Sequence, residues 1–182
     1  MMRSRGKRQR IGVIGLGSGT MAAYADGDRH VAFYEIDPSV ETIARQFFTF
    51  VPRCGGNCEV VIGDGRLEVA KAPDGSFDLL MLDAFSSDSI PAHLLSREAL
   101  QLYLAKLAPD GVLLFHVSNR YLDVERLVSA LVTDAGLIAL SRFDGAGDLR
   151  LEGKTNSTHL VAARHAEDVG SDLLPAVPAG NE

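Results

Sequence analysis

The stretch IGVIGLGSGT, residues 11–20, constrains the fold more than any other part of the chain. Apolar residues lead into three glycines at alternate positions, Gly15, Gly17 and Gly19. The apolar part predicts a buried parallel strand, a type whose two faces both meet packed helices. The glycines predict a sharp bend whose backbone approaches a ligand with no Cβ in the way. A second apolar stretch, residues 31–36, ends in Glu35 and Ile36. An acid about 20 residues beyond a glycine turn suits the two hydroxyls of a ribose. Thr20 stands where the dinucleotide pattern Gly-x-Gly-x-x-Gly needs its third glycine. The expected ligand is therefore an adenosyl group without a pyrophosphate.

Apolar runs alternate with amphipathic stretches along the rest of the chain, which predicts an α/β fold. Strands are expected near residues 10–15, 31–36, 59–62, 77–82, 112–117, 137–143 and 158–163. Asp37-Pro38 reads as a helix N-cap with proline at the first helical position. Ser96 and Asp123 read as caps of two later helices, and Gly136 as a stop. Pro109-Asp110-Gly111 predicts a turn. No helical pattern separates the last two strands, so a hairpin is expected there and the final strand should run antiparallel. The result is a Rossmann-like, seven-stranded, mostly parallel sheet with helices on both faces. Residues 1–9 read as a basic leader, 10–164 as one domain and 165–182 as a loose tail.

Composition narrows the function classes. The net charge of −6 argues against general nucleic-acid affinity and suits a small cationic substrate. Arg3, Arg5, Lys7, Arg8 and Arg10 crowd ahead of the first strand and read as a solvated leader, or as a seam with further sequence. No apolar run has membrane-spanning length and no signal-peptide pattern occurs, so a cytoplasmic protein without membrane contact is expected. Cys54 and Cys58 read as two free thiols on a loop, and no metal site is expected.

In open α/β sheets ligands sit beyond the carboxyl ends of the strands, where strand order reverses. The polar signals fall at such ends. Glu35 suits a ribose, or else a helix cap. Asp64, in Gly63-Asp64-Gly65, suits an adenine amino group or a plain turn. Asp83 closes an apolar strand and suits a general base or a cation clamp, or else a loop-fixing role. Asp88 lies in the polar segment Ser86-Ser87-Asp88-Ser89. His116 is internal to an apolar run and reads as a core histidine, and Tyr24 and Tyr34 as packing residues.

Four stretches, VIGLGSG (13–19), YEIDP (34–38), IGDGR (62–66) and FDLLMLDAFSSDSIP (77–91), together resemble the spermidine synthase family of aminopropyltransferases. That family uses the class I methyltransferase fold. The resemblance implies that Gly15, Gly17, Ser18 and Gly19 form the nucleoside turn and that Glu35, with Ile36 beside it, holds the ribose. It implies that Asp64 and Gly65 meet the adenine, that Asp83 is the catalytic aspartate, and that Asp88 binds the amine. The implied reaction moves an aminopropyl group from decarboxylated S-adenosylmethionine to a polyamine such as putrescine, without a metal. The resemblance leaves room for a homodimer.

Three departures stand out. Ser18 replaces an aspartate of the family turn. The span from Asp83 to Asp88 is two residues longer than Asp-x-x-Asp. A strand-rich N-terminal domain is expected to be missing, as in spermidine synthase-like domains fused to transporters. Two alternatives therefore stay open. One is methyl transfer from intact S-adenosylmethionine, whose own carboxylate would make the turn aspartate unnecessary. The other is a nucleoside-binding module without catalysis.

Overall fold

The computed structural model describes residues 9–84, 92–119, 121–145 and 156–169. Among them, one sheet holds β1 (Gln9–Ile14), β2 (Arg29–Glu35), β3 (Cys58–Ile62), β4 (Phe77–Leu82), β5 (Leu107–His116), β6 (Ile138–Asp144) and β7 (Ser157–Ala163). Their order is β3-β2-β1-β4-β5-β7-β6. The first five strands run parallel, and β7 is antiparallel to both β5 and β6. The antiparallel final strand agrees with the expectation from sequence.

Alternation along the strands explains why helices cover both faces. Ile14, Ala32, Tyr34, Leu80 and Leu82 point to one side, where Val69, Leu100, Tyr103 and Val128 meet them. Those residues come from α3 (Gly65–Ala70), α4 (Arg97–Lys106) and α5 (Val124–Asp134). Ile11, Val13, Val31, Phe33 and Met81 point to the other side, against Ala22, Ala44 and Val51. Ala22 lies in a 3-10 turn, Thr20–Tyr24; Ala44 and Val51 come from α1 (Pro38–Phe47) and α2 (Phe50–Arg53). Each central strand is thus buried on both sides, as a parallel sheet requires.

The local signals act as read. The Asp37 side chain accepts from Ser39 N with Pro38 opening α1, Ser96 accepts from Ala99 N, and Asp123 from Arg126 N. Gly136 takes a positive φ just past α5. Three details differ. Pro109-Asp110-Gly111 does not precede β5 but lies inside it, as an irregularity between the pairs Phe77↔Leu107 and Leu79↔Val112. Tyr34 packs edge-on against Phe77, but Tyr24 is 55% exposed, because a single 3-10 turn is too short to bury that side. Where a tail was expected from 165, the chain makes one more helical turn, α6 (Ala166–Val169). Val169 of that turn is buried beside Val161 and Ala163.

Candidate active site

Strand register gathers the site. Ile14 lies opposite Tyr34 on one side and Leu82 on the other, and Glu35 opposite Ile62. The residues that follow each strand therefore leave the sheet along one rim, on either side of the reversal between β1 and β4. This rim carries the glycine turn, Glu35, Asp64 and Asp83.

The glycine turn is built against Asp83. Gly15 has φ +101, a left-handed value, and a Cβ there would run into the Asp83 carbonyl oxygen. Gly15 N donates to Tyr34 O at 2.8 Å, and Asp83 N to Ile14 O at 2.9 Å. Gly19, at φ +80, closes the bend where a Cβ would meet the Val51 side chain at 2.5 Å. Gly17, at φ +53, faces open space, and Ser18 beside it is partly exposed.

Glu35 is buried at 8% exposure, although it ends a strand at the surface rim. Its Oε2 accepts from Leu16 N at 3.0 Å and its Oε1 from Asp37 N at 3.0 Å. One carboxylate thereby ties the glycine turn to the start of α1. Each oxygen retains a second lone pair for a ligand hydroxyl. Ile36, next in sequence, is 69% exposed.

Asp64 caps α3, its Oδ1 accepting from Leu67 N at 3.0 Å. Its Oδ2 meets His93 Nε2 at 3.1 Å, and Arg66 donates to the His93 carbonyl at 3.0 Å. Gly65 is buried against Ile14, with a separation of 2.5 Å from a Cβ placed there to Ile14 Cγ2. Leu67, on the helix that Asp64 caps, and Ile62, opposite Glu35 at the end of β3, are large apolar side chains and are exposed. Exposed apolar groups beside hydrogen-bonding carboxylates suit the flat face and polar edge of a base.

Asp83 follows β4, and its side chain is 40% exposed. Leu82 pairs with Phe115, so Asp83 and His116 emerge side by side. Asp83 Oδ1 lies 2.8 Å from His116 Nδ1. His116 pairs across β5 and β7 with His159, and their rings stack with centroids 5.0 Å apart. Burial first, and the neighbouring His116 second, hold the His159 pKa below the ordinary imidazole value, while Asp83 and Asp144 oppose that shift.

His116 is therefore not a core histidine but a partner of the strongest acid candidate. In sequence it stands inside an apolar run, one place before the end of the expected strand 112–117, whereas β5 ends at His116 itself and so brings the ring to the rim. His93 carries no signal in sequence. Asp88 lies outside the described residues, so its expected role with the amine has no geometry here. Cys54 and Cys58 are free thiols, both partly buried. Among the described residues no cluster of three or more metal-ligating side chains occurs, and no helix is long and apolar enough to cross a membrane.

No family model matches the chain. A curated polyamine aminopropyltransferase of Vibrio vulnificus (strain CMCP6) is 38% identical to it over 123 residues, 63% of this chain. The match takes in 40% of that relative, so this chain spans well under half of the relative's length. A spermidine synthase solved with the transition state analogue AdoDATO superposes with a TM-score of 0.67 at 18% identity, covering 88% of this chain and 57% of the other. Human methyltransferase-like protein 13, solved with SAH, superposes with a TM-score of 0.67 at 24% identity, covering 89% of this chain and 74% of the other. The fold is that shared by class I methyltransferases and spermidine synthases. The resemblance carried by the four sequence stretches is thus matched by similarity to an aminopropyltransferase in sequence and to spermidine synthases in fold.

Proposed function

We propose that this chain is a cytoplasmic transferase that moves the aminopropyl group of decarboxylated S-adenosylmethionine onto a small amine such as putrescine. The observation that carries the reading is the position of Asp83. It stands where strand order reverses, with its backbone packed against the Gly15 bend. Similarity to the Vibrio vulnificus aminopropyltransferase supports the same reaction.

The chemistry follows from charge. An alkyl ammonium has a pKa of about 10, so an acceptor amine arrives protonated near neutrality. One proton must leave before its nitrogen lone pair can attack. Asp83 receives the ammonium, takes that proton and holds the nitrogen in line with the propyl carbon. The C–N bond forms as the C–S bond breaks, and the electron pair stays on sulfur in departing methylthioadenosine. Most of the acceleration comes from placing two reactants in line, which turns an encounter into an internal step. Glu35 receives the ribose hydroxyls, Asp64 and Gly65 the adenine edge, and Gly15, Gly17, Ser18 and Gly19 the sulfonium arm. Asp88 anchors the far ammonium of the acceptor. The carboxylates also offset repulsion between a sulfonium and a cationic amine.

Ser18 favours a second reading, methyl transfer from intact S-adenosylmethionine. A serine in the glycine turn can accompany a cofactor that still carries its own carboxylate. Calorimetric titration with S-adenosylmethionine, its decarboxylated form and methylthioadenosine separates the two. Tighter binding of the decarboxylated form is expected. Tighter binding of the intact form assigns methyl transfer instead.

A further inference from the structure

Asp83, His116 and His159 form a row across three neighbouring strands. The register Leu82↔Phe115 sets Asp83 beside His116, and His116↔His159 continues the row onto β7. Side-chain alternation puts all three on the same face, because the preceding or following residues Leu82, Phe115 and Leu160 all pack into the opposite layer. A carboxylate at a strand end is free to rotate about two bonds unless something holds it. Here a ring nitrogen at 2.8 Å holds one of its oxygens. An ionised carboxylate only accepts hydrogen bonds, so His116 Nδ1 must carry the proton it shares with Asp83 Oδ1. The His159 ring lies nearly parallel to His116, at 20°, and limits rotation of that ring in turn.

We propose that His116 is a positioning residue for the transfer reaction: its Nδ1–H fixes Asp83 Oδ1 and so aims Asp83 Oδ2 at the acceptor amine, with His159 as the backing that keeps the imidazole in plane. This deepens the aminopropyl-transfer reading and rests on it for the identity of the acceptor. Burial first and the adjacent His116 second hold the His159 pKa below the ordinary imidazole value, which favours its neutral ring in the stack. Asp144 and Arg142 of β6 also border this row, Arg142 lying opposite His159.

Two substitutions separate the donor from the bulk of the ring. His116→Asn places an amide N–H near the position of Nδ1 and keeps a donor for Asp83. His116→Phe keeps the ring and loses the donor. In steady-state assays with decarboxylated S-adenosylmethionine and putrescine, His116→Phe should lower kcat about 100-fold, the scale of a misplaced reacting group. Methylthioadenosine affinity should change less than about twofold, because the nucleoside contacts lie on other strands. His116→Asn should recover most of kcat. Wild-type kcat in His116→Phe, or equal damage in both variants, overturns the proposal. A readout independent of turnover is the 15N spectrum of the imidazole. His116 should be the Nδ1–H tautomer in the wild type and lose that preference in Asp83→Ala, which leaves no acceptor at that position. A tautomer indifferent to Asp83→Ala overturns the pairing even if the wild type transfers nothing. Absence of transfer by the wild type with an Asp83-dependent tautomer instead removes the aminopropyl reading and keeps the Asp83–His116 unit.

Discussion

Glu35 Oε2 accepts a hydrogen bond from Leu16 N at 3.0 Å, across 19 residues of sequence. A buried acid thus shapes the glycine turn from the neighbouring strand, while its other oxygen holds Asp37 N. The same carboxylate that suits a ribose therefore also shapes the glycine bend beside it.

Glu35→Gln separates these two tasks from simple burial. The amide keeps the volume but offers one oxygen to two backbone donors, leaving one of them facing an NH2 group. A hydrogen bond to a charged group contributes about 1.5–3 kcal/mol. The variant should lose about 1–3 kcal/mol of stability in urea denaturation. Methylthioadenosine should bind at least about tenfold more weakly by calorimetry, which corresponds to about 1.4 kcal/mol. Unchanged affinity would remove Glu35 from the ligand site.

Gly15 and Gly17 sit two residues apart yet should respond differently to alanine. At Gly15 the new Cβ meets the Asp83 backbone in addition to the left-handed φ. Strain and overpacking each cost about 1–3 kcal/mol, so Gly15→Ala should lose about 2–6 kcal/mol and displace Asp83. Gly17 has a left-handed φ but open space around it, so Gly17→Ala should lose about 1–2 kcal/mol. Denaturation midpoints of the two variants check the order. Equal losses would contradict the packing of the bend onto Asp83.

His159 gives the fold a pH dependence of known sign. Its folded-state pKa lies below the ordinary imidazole value of about 6.5, chiefly through burial and next through His116. As the pH falls, the unfolded chain binds the proton more readily than the folded one. The stability contributed by the neutral ring is complete above about pH 6.5 and is lost as pH falls through the folded value. Between pH 7.5 and pH 5, unfolding free energy should fall more steeply in the wild type than in His159→Gln. Parallel curves would contradict the shift.

Cys58 should be a slow thiol. Burial, and then its hydrogen bond with Cys54, push its pKa up to about 12. Alkylation requires the thiolate, so iodoacetamide at pH 8 should modify native Cys58 at least about 100-fold more slowly than the urea-unfolded chain, as mass spectrometry of the peptide can follow. Rates within a few-fold of each other would contradict the raised Cys58 pKa.

The parts of this fold that were readable in sequence are those decided locally. A cap needs only its own helix, so Asp37, Ser96 and Asp123 announced α1, α4 and α5. The bend of Gly15 and Gly19 was readable because left-handed backbone needs glycine. The hairpin of β6 and β7 was readable because no helix pattern fills the span between them. Contacts set by strand pairing were not. His116 meets Asp83 across 33 residues only because β5 lies beside β4, and His93 meets Asp64 across 29. Tyr24 reads as a packing residue in sequence yet is exposed, because periodicity does not show how far a one-turn helix reaches.

The proposed aminopropyl transfer depends on Asp83, within a nucleoside site built by other residues. The most direct measurement is chromatographic detection of spermidine and methylthioadenosine from decarboxylated S-adenosylmethionine and putrescine, with the wild type and Asp83→Asn compared at equal occupancy by the nucleoside. Equimolar products are expected from the wild type, and from Asp83→Asn a rate at least about 100-fold lower with methylthioadenosine affinity retained. Equal turnover by the two proteins would contradict that role for Asp83.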